Sequence, residues 1–355
     1  MGIRAMKKLR IGYVPNNKAL NVPGDRRRIV FWAKERGHEI VTNLEEKFDV
    51  LVLSERSDLR FFVKSKKKTP IIFDLVDGYL ARESLAKDLF RGTSKVATRQ
   101  LSGVPRPFTH FVQDICVSAS AVICSSPEQS KLIRKYSNNV HIILDSHDEI
   151  PLLKFNGRNR HFKNTSSLIW EGLPVTLGGI KTISSALIRE NSTYGTGIKF
   201  VTNQEYFRLL GQFFPSSTAT SLRKLLGPMA QDTEIIPWNV ENLIATAKIS
   251  SAAIIPVMLS NQLQFLKPEN RLLIMWKLGL PALTSATPAY MRVARVSNSD
   301  VICKTNSEWE TKLNLLRNDI DYSEELVRRG QQYLEENHTR ELLLQKWDNV
   351  FQSVV

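Results

Sequence analysis

The sequence predicts an α/β protein with two Rossmann-like domains, each built on a parallel sheet. Its 355 residues are too many for one ordinary core and suit two domains of roughly 150 residues each. Short apolar runs alternate with amphipathic segments, which is the order that produces parallel sheets. The series stops at a polar, basic stretch over 150–165 and then starts again. We predict an N-terminal domain over 1–149, a linker over 150–165, a C-terminal domain over 166–335, and a terminal helix over 336–355 that packs back on the first domain.

In the first half, the apolar runs predict strands and the amphipathic segments predict helices. The predicted strands are 9–14, 39–42, 48–53, 71–75, 121–124 and 140–144. The predicted helices are 26–36, 82–101, 108–118 and 127–136. This alternation favours a doubly wound sheet.

The second half repeats the pattern beyond the polar stretch. Its predicted strands are 167–170, 198–202, 233–237, 252–257, 281–285 and 300–303, followed by a charged helical pattern over 323–353. Two such domains in tandem are expected to face each other across a cleft, since open parallel sheets hold ligands beyond the carboxyl ends of their strands.

Composition indicates a soluble globular protein, with 42% hydrophobic and 24% charged residues. The longest nearly apolar stretch, 251–259, is shorter than the roughly 20 residues that a membrane helix needs. The N-terminus lacks the long apolar core of a secretory signal, so we expect a cytoplasmic protein. Cys116, Cys124 and Cys303 have no ligand-like spacing, which predicts buried thiols and no metal site.

The net charge of +14 is concentrated in the first half. Residues 1–150 hold 26 Lys and Arg against 17 Asp and Glu, a net charge of +9. Clusters at 26–28 and 64–68 contribute to it. Two explanations fit this excess of positive charge. The residues are solvated on the surface, or they bind an anionic partner such as membrane lipid or a phosphorylated acceptor. No nucleic-acid partner is expected, because no recognisable binding module is present.

A crowded helix start near Pro268 is the best candidate for a ligand site. The first amides of a helix and its dipole favour an anion. Lys267 adds a point charge, Asn270 an amide and Arg271 a forked donor, which together suit a diphosphate. Glu269 is better placed to accept hydrogen bonds from sugar or ribose hydroxyls. An ordinary helix start, with proline in the first turn, explains the same residues.

The stretch NRLLIMWKLGLPALTS, which begins at Asn270, resembles the donor-site helix, turn and strand of GT-B glycosyltransferases, particularly the large retaining group that uses nucleotide sugars. Looser matches are AKERGHEI, ASAVICSSPEQSKLI, HIILDSHDEI and EENHTRELLLQKWDNVF, in the order and spacing of that family. The resemblance covers nearly the whole chain. It implies a GT-B fold, with donor binding in the C-terminal domain and acceptor binding in the N-terminal domain.

The resemblance also implies catalysis without a metal or other cofactor, because helix starts and basic side chains neutralise the leaving diphosphate. The sequence departs from the family pattern in two places. The helix usually carries two glutamates, and Leu266 and Ile274 occupy those positions here. The first loop of the C-terminal domain offers Gly172 for close backbone approach, but Lys181 is its only basic residue. The donor and the stereochemical outcome therefore stay open.

Four further residues are candidates by position. Pro237 and Trp238 follow a predicted strand, where the resembled enzymes hold the base, although such an aromatic also serves packing. Asp25 lies in the loop region expected near the transferred sugar, and is a candidate for catalysis or a helix cap. Asp77 lies beyond another strand and is a candidate base for the acceptor hydroxyl. His110 and His147 are expected to be structural.

These observations predict a metal-independent glycosyltransferase that moves a sugar from a nucleotide donor to an acceptor hydroxyl. The basic first domain favours a lipid-linked or cell-envelope glycan acceptor and peripheral contact with an anionic membrane. A sugar-nucleotide epimerase of the same architecture is an alternative. A non-catalytic GT-B-like binding protein is another, because both family glutamates are missing.

Overall fold

The computed structural model describes residues 7–64, 69–81, 84–155, 167–208 and 214–355. The chain divides into two compact units. Unit 1 consists of Met1–His147, Leu266–Pro268 and Thr339–Val355, and unit 2 consists of Asp148–Phe265 and Glu269–His338. Most of the predicted basic cluster at 64–68 and most of the predicted linker lie outside the described residues.

Unit 1 is built on a sheet whose strands all pair in parallel, in the order β2-β1-β3-β4-β5-β6. These strands are β1 Arg10–Val14, β2 Glu39–Val41, β3 Val50–Leu53, β4 Ile71–Leu75, β5 Ala121–Cys124 and β6 Val140–Ile142. The strand order reverses direction between β1 and β3. Such a reversal leaves a crevice beyond the carboxyl ends of the two strands, the usual ligand position in doubly wound sheets.

Helices of unit 1 cover its sheet. They are α1 Pro23–Arg26, α2 Ile29–Arg36, α3 Leu59–Lys64, α4 Leu85–Ala97, α5 Phe108–Ser118 and α6 Pro127–Ile133. The last helix of the chain also belongs to this unit. Its Phe351 ring stacks on Trp32 at 4.1 Å between centroids, and its Asp348 accepts a hydrogen bond from Trp32 Nε1 at 2.7 Å.

Unit 2 repeats the design with a second parallel sheet, in the order β11-β8-β7-β12-β13-β14. Its strands are β7 Ser167–Glu171, β8 Gly197–Val201, β11 Thr233–Ile236, β12 Ala252–Ile255, β13 Ala282–Ser285 and β14 Ile302–Cys303. An antiparallel pair, β9 Glu205–Arg208 and β10 Phe214–Ser217, stands apart from it. The order reverses between β7 and β12. Two parallel, doubly wound sheets confirm the predicted fold class.

The helices of unit 2 and the terminal helix complete the chain. They are α7 Gly178–Thr182, α8 Ser184–Tyr194, α9 Thr218–Leu226, α10 Val240–Ile249, α11 Gln262–Phe265, α12 Asn270–Lys277, α13 Pro288–Val296, α14 Asn306–Asn318, α15 Ile320–Asn337 and α16 Arg340–Gln352. Short 3-10 turns lie at Pro174–Thr176 and Gly227–Asp232. None of the helices in the described ranges is long and apolar enough to cross a membrane.

Two predicted helices were wrong in extent. The helix predicted over 323–353 is two helices, because the chain leaves helical geometry at His338 and Thr339 caps α16 by accepting from Leu342 N. The helix predicted over 26–36 is also broken. Arg28 has backbone angles of −121° and −114°, which separates α1 from α2.

Burial corrects the predicted charge cluster at 26–28. Arg28 is 0% exposed and forms a two-pronged ion pair with Asp74, with Nε–Oδ2 and Nη2–Oδ1 distances of 2.8 and 2.6 Å. Arg27 is also buried. A guanidinium buried this deeply needs a carboxylate partner. Two of the three arginines therefore belong to the interior of unit 1, not to a surface that attracts anions.

Candidate active site

In unit 2, Glu171 ends β7 next to the point where the strand order reverses. Its side chain is nearly buried and contacts two functional candidates. Trp238 Nε1 donates to Glu171 Oε1 at 2.9 Å, and Arg271 Nε lies 3.5 Å from Glu171 Oε2. The indole ring of Trp238, half-buried just beyond β11, is therefore held by the same carboxylate that faces the guanidinium. Pro237 beside it is exposed.

Arg271 lies in the first turn of α12, packed over an aromatic ring. Its Cζ is 5.1 Å from the centre of the Trp170 ring, close enough for a cation–π interaction. Nη2 of Arg271 has no hydrogen-bond partner among the described residues. The guanidinium is therefore held in place by a carboxylate and an aromatic ring, while its Nη2 group can still donate hydrogen bonds. Such a group is suited to bind an oxyanion.

Gly172 follows Glu171 and allows this packing. A Cβ at this position would lie 3.3 Å from Arg271 Cζ and 3.2 Å from the Trp170 ring. Such contacts are tight, so a larger residue would displace the guanidinium. The sequence predicted that Gly172 allows a close approach to its backbone. In this structure, the group that approaches it is the side chain of Arg271.

The start of α12 differs in detail from its prediction. The helix begins at Asn270, with Glu269 as its cap residue and no side-chain cap. Asn270 Oδ1 has no hydrogen-bond partner among the described residues. Glu269 is 3% exposed, and its Oε2 accepts from Arg292 Nη2 at 2.9 Å. This carboxylate is committed to an ion pair, and its contact with a sugar hydroxyl stays a prediction.

The end of α12 follows its prediction. Gly279, at φ 65°, takes the left-handed conformation that ends many helices, and the chain runs directly into β13. Ile274, where the resembled enzymes carry a glutamate, is buried in the core of unit 2.

In unit 1, two carboxylates lie beyond the carboxyl ends of neighbouring strands. Glu55 follows β3, and Asp77 follows β4. The backbone N–H of Asp77 donates to Glu55 Oε1, and Lys267 Nζ lies 3.2 Å from Asp77 Oδ1. Two residues predicted for different roles, Lys267 for phosphate and Asp77 for the acceptor, therefore contact each other.

Glu55 was missed from the sequence. Burial, and then the nearby charge of Asp77, raise the pKa of Glu55 to about 8. Such a carboxyl is largely protonated at neutral pH, while the adjacent Asp77 has Lys267 as its counter-ion. A pair of acids held in different environments is a common arrangement for proton transfer. The available signal was an acidic residue two positions after a buried strand, the same signal that identified Asp77.

Asp25 is fully buried within α1 and does not cap it. Its Oδ1 accepts from the Asn16 backbone N–H at 2.9 Å, and its Oδ2 from the Asn17 N–H at 3.1 Å. Tyr13 also donates to it. The predicted helix-cap role is wrong, because the carboxylate instead holds the loop after β1. Its catalytic role stays a prediction.

The structure gives the positions of several other residues. Asn239 caps α10 by accepting from Asn242 N at 2.6 Å. Lys181 lies in α7. His147 is buried and His110 is exposed. Within the described part of the chain, no group of three or more His, Cys, Asp or Glu residues is arranged to hold a metal ion.

Solved structures share this architecture. HepE of Anabaena, in complex with UDP-glucose, superposes with a TM-score of 0.63 at 10% identity over 97% of this chain and 100% of that chain. A glycosyltransferase from Rickettsia africae gives a TM-score of 0.59 at 10% identity over 98% and 99% of the two chains. The chain has the GT-B fold.

Other neighbours are longer or more distant. WaaG, a glycosyltransferase involved in lipopolysaccharide biosynthesis, gives a TM-score of 0.52 at 13% identity over 85% of this chain and 77% of its own. TarM gives a TM-score of 0.58 at 8% identity over 85% of this chain, which spans about half of TarM, 54% of its length. No protein-family model matches the chain, and no curated protein matches its sequence.

Proposed function

We propose that the protein is a glycosyltransferase that moves a sugar from a nucleotide-sugar donor to an acceptor hydroxyl. The observation that carries the proposal is the arrangement in unit 2 of Glu171, Trp238 and Arg271 at the reversal of strand order. HepE, which has the same fold, was crystallised with UDP and with UDP-glucose. In this proposal unit 2 binds the donor, and unit 1 accepts the proton of the acceptor hydroxyl.

The donor diphosphate would be bound by the first turn of α12. Arg271 Nη2 and the helix amides supply donors, and the helix dipole adds a positive potential. The half-buried Trp238 ring is proposed to stack on the base, while Pro237 and Gly172 shape the backbone around it. Glu269 and Asn270 remain in the proposed donor set from the sequence, with Asn270 Oδ1 open to a hydroxyl donor. Lys267 belongs to unit 1, and its predicted contact with phosphate stays a prediction.

Charge neutralisation by these groups leads us to propose transfer without a metal ion or other cofactor. In the reaction, the bond between the sugar and the diphosphate oxygen breaks, and the nucleoside diphosphate leaves with that electron pair. The acceptor oxygen forms the new bond to the sugar carbon and loses its proton. Asp77, held beside Lys267 at 3.2 Å, is the proposed acceptor of that proton.

Titration with UDP tests donor binding directly. We expect the protein to bind UDP equally with magnesium and with a chelator present. Arg271→Ala should weaken binding, whereas the control Arg295→Ala, an exposed arginine of α13, should not. If no nucleoside diphosphate binds, and none of a broad panel of nucleotide sugars is hydrolysed or transferred, the proposal is wrong.

The acceptor is proposed to be a glycan of the cell envelope or a lipid-linked sugar, at the cytoplasmic face of an anionic membrane. The support is the net charge of +9 over residues 1–150. Transfer assays with lipid-linked and soluble glycan acceptors distinguish this choice. Faster transfer to soluble acceptors would contradict it and leave donor binding intact.

A further inference from the structure

Two aromatic rings close to Asp77 each hold a cation in unit 1. Tyr79 lies two residues beyond Asp77, and its backbone N–H donates to the Asp77 carbonyl oxygen at 2.9 Å. The rings of Tyr79 and Phe108 meet edge to face, with 5.0 Å between their centres. Arg91 Cζ lies 5.4 Å from the centre of the Tyr79 ring. Lys95 Nζ lies 4.8 Å from the centre of the Phe108 ring, and both distances allow cation–π interactions.

The packing of helix α4 on the segment before α5 fixes the positions of these two cations. A Cβ at Gly92 would lie 1.8 Å from the carbonyl oxygen of Arg106, so only glycine permits this approach. Lys95 follows Arg91 by four residues, which places both on the same side of the helix. The close approach at Gly92 therefore brings the cations of α4 to the two rings.

Lys95 is a half-buried cation that forms no ion pair within the described part of the chain. Its Nζ donates to a neutral amide, Gln100 Oε1, at 3.3 Å. Other cations of unit 1 with little exposure each pair with an aspartate, namely Arg28 with Asp74, Arg36 with Asp348 and Arg106 with Asp114. A charge removed from water ordinarily needs such a partner. An anion from outside the chain would supply the partner that Lys95 lacks.

The surroundings of Lys95 are strongly positive. Burial and then the charge of Arg56 lower the pKa of Lys95 to about 8, with a further contribution from Arg91 and an opposing one from Glu55. Glu55 is itself largely protonated at neutral pH, so it neutralises little of this charge. Arg56 lies beyond β3 and is exposed, so its guanidinium is accessible to a ligand. Three cations gathered in this way favour a bound oxyanion.

We propose that Lys95 and Arg56, with the positive charge of Arg91 beside them, form a binding site for a phosphate group. A phosphate monoester carries about −1.5 to −2 charges at neutral pH, so it suits several gathered cations better than a carboxylate does. The site adjoins Asp77 through Tyr79, so the phosphate would belong to the acceptor whose hydroxyl Asp77 deprotonates. That assignment to the acceptor rests on the proposed function, whereas phosphate binding by unit 1 does not.

Calorimetric titration with inorganic phosphate tests the site without a nucleotide. The full chain carries Arg271→Ala in this titration, because that change removes the proposed diphosphate contact of unit 2. Adding Lys95→Met removes the charge and keeps an unbranched side chain against Phe108, and should weaken phosphate binding about ten-fold or more. Arg56→Gln should weaken it about five-fold, since an exposed cation contributes less. The control Lys87→Met changes an exposed lysine of the same helix and should bind phosphate as before.

Transfer assays with Arg271 intact test whether the phosphate belongs to the acceptor. A hexose phosphate and a lipid-linked hexose diphosphate are each compared with the unphosphorylated hexose. The phosphorylated acceptors should have the lower KM. In Lys95→Met this KM should rise about ten-fold while kcat changes little, because the lost contact is remote from the reacting hydroxyl. Whichever phosphorylated acceptor has the lower KM, soluble or lipid-linked, identifies the source of the phosphate.

Circular dichroism checks that each variant is folded, and Lys95→Arg, which restores the charge, should recover part of the phosphate affinity. Two results overturn the site: no phosphate binding by the Arg271→Ala protein, or equal losses from Lys95→Met and Lys87→Met. An equal KM for phosphorylated and unphosphorylated acceptors overturns the assignment to the acceptor. Phosphate binding that depends on Lys95, with no transfer to any acceptor, would contradict the proposed function and support the site.

Discussion

Both units place a glutamate just beyond or at the end of a parallel strand, but the two glutamates face opposite neighbours. Glu171 of unit 2 faces the guanidinium of Arg271 and the indole N–H of Trp238. Glu55 of unit 1 faces another carboxylate, Asp77, and its pKa is raised to about 8 by burial and by that charge. The carboxyl ends of strands in two similar sheets therefore carry different chemistry.

Under the proposed function, this difference assigns donor binding to unit 2 and proton transfer to unit 1. Glu171 orients a cation and a ring, and both are suited to bind a nucleotide. Glu55 holds the backbone of a second acid that has its own lysine, an arrangement suited to accept a proton. We therefore expect variants in unit 1 to change turnover and variants in unit 2 to change nucleotide affinity.

The largest effect is expected from Asp77→Asn. An asparagine cannot accept the proton, so turnover should fall by about 10² to 10⁴, the usual contribution of a general base. UDP affinity should be unchanged. The assay is release of nucleoside diphosphate in the presence of acceptor. Asp114→Asn, which removes another unit 1 carboxylate from its ion pair with Arg106, is the control. Equal losses in both variants would count against a base at Asp77.

Arg271→Ala should produce the next largest change, in affinity. Loss of a charge-assisted bond to phosphate weakens binding by about 1.5 to 3 kcal/mol, or roughly 10- to 150-fold. Calorimetric titration with UDP and with inorganic pyrophosphate should show similar losses for both ligands, because the lost contact is to phosphate. An unchanged affinity for pyrophosphate would remove Arg271 from the diphosphate site.

Trp238→Ala should weaken UDP binding by about two- to ten-fold, from loss of roughly 0.5 to 1.5 kcal/mol of stacking. Pyrophosphate has no base, so its affinity should change little. Trp238→Phe keeps an aromatic ring without the hydrogen bond to Glu171 and should recover part of the loss. If UDP and pyrophosphate are affected equally, Trp238 serves only to position Glu171.

The smallest effect concerns stability and Glu55. Because its pKa is higher in the folded protein than the ordinary value of 4.5, the folded state holds a proton that the unfolded state releases. Stability from this group is complete below pH 4.5 and is lost as the pH rises towards 8. Glu55→Gln keeps the shape without the proton, so its melting temperature should fall less between pH 5 and 8 than that of the unmodified protein. An equal fall in melting temperature over this pH range in both proteins would show that the pKa of Glu55 is not raised.

Much of the fold follows from local pattern. The β-strands of both large sheets are short apolar runs, such as Ile71–Leu75 and Ala252–Ile255, so their positions were predicted to within a few residues. The breaks inside helices were not predicted, because they depend on tertiary contacts. Arg28 leaves helical geometry while its side chain binds Asp74, which is 46 residues away in sequence.

The candidate site was predicted only in part, for a similar reason. Arg271 and Trp238 were found from their positions near strand ends and a helix start. Their shared partner, Glu171, was not, since it is 67 residues from Trp238. Glu269 was expected to face a sugar, and its pairing with Arg292 depends on how α12 and α13 pack.

UDP titration of Arg271→Ala and Asp77→Asn, alongside the unmodified protein, is the most direct test of the division between the two units. We expect a dissociation constant raised roughly 10- to 150-fold in Arg271→Ala and unchanged in Asp77→Asn. The opposite pattern, with UDP binding lost in Asp77→Asn and kept in Arg271→Ala, would contradict it.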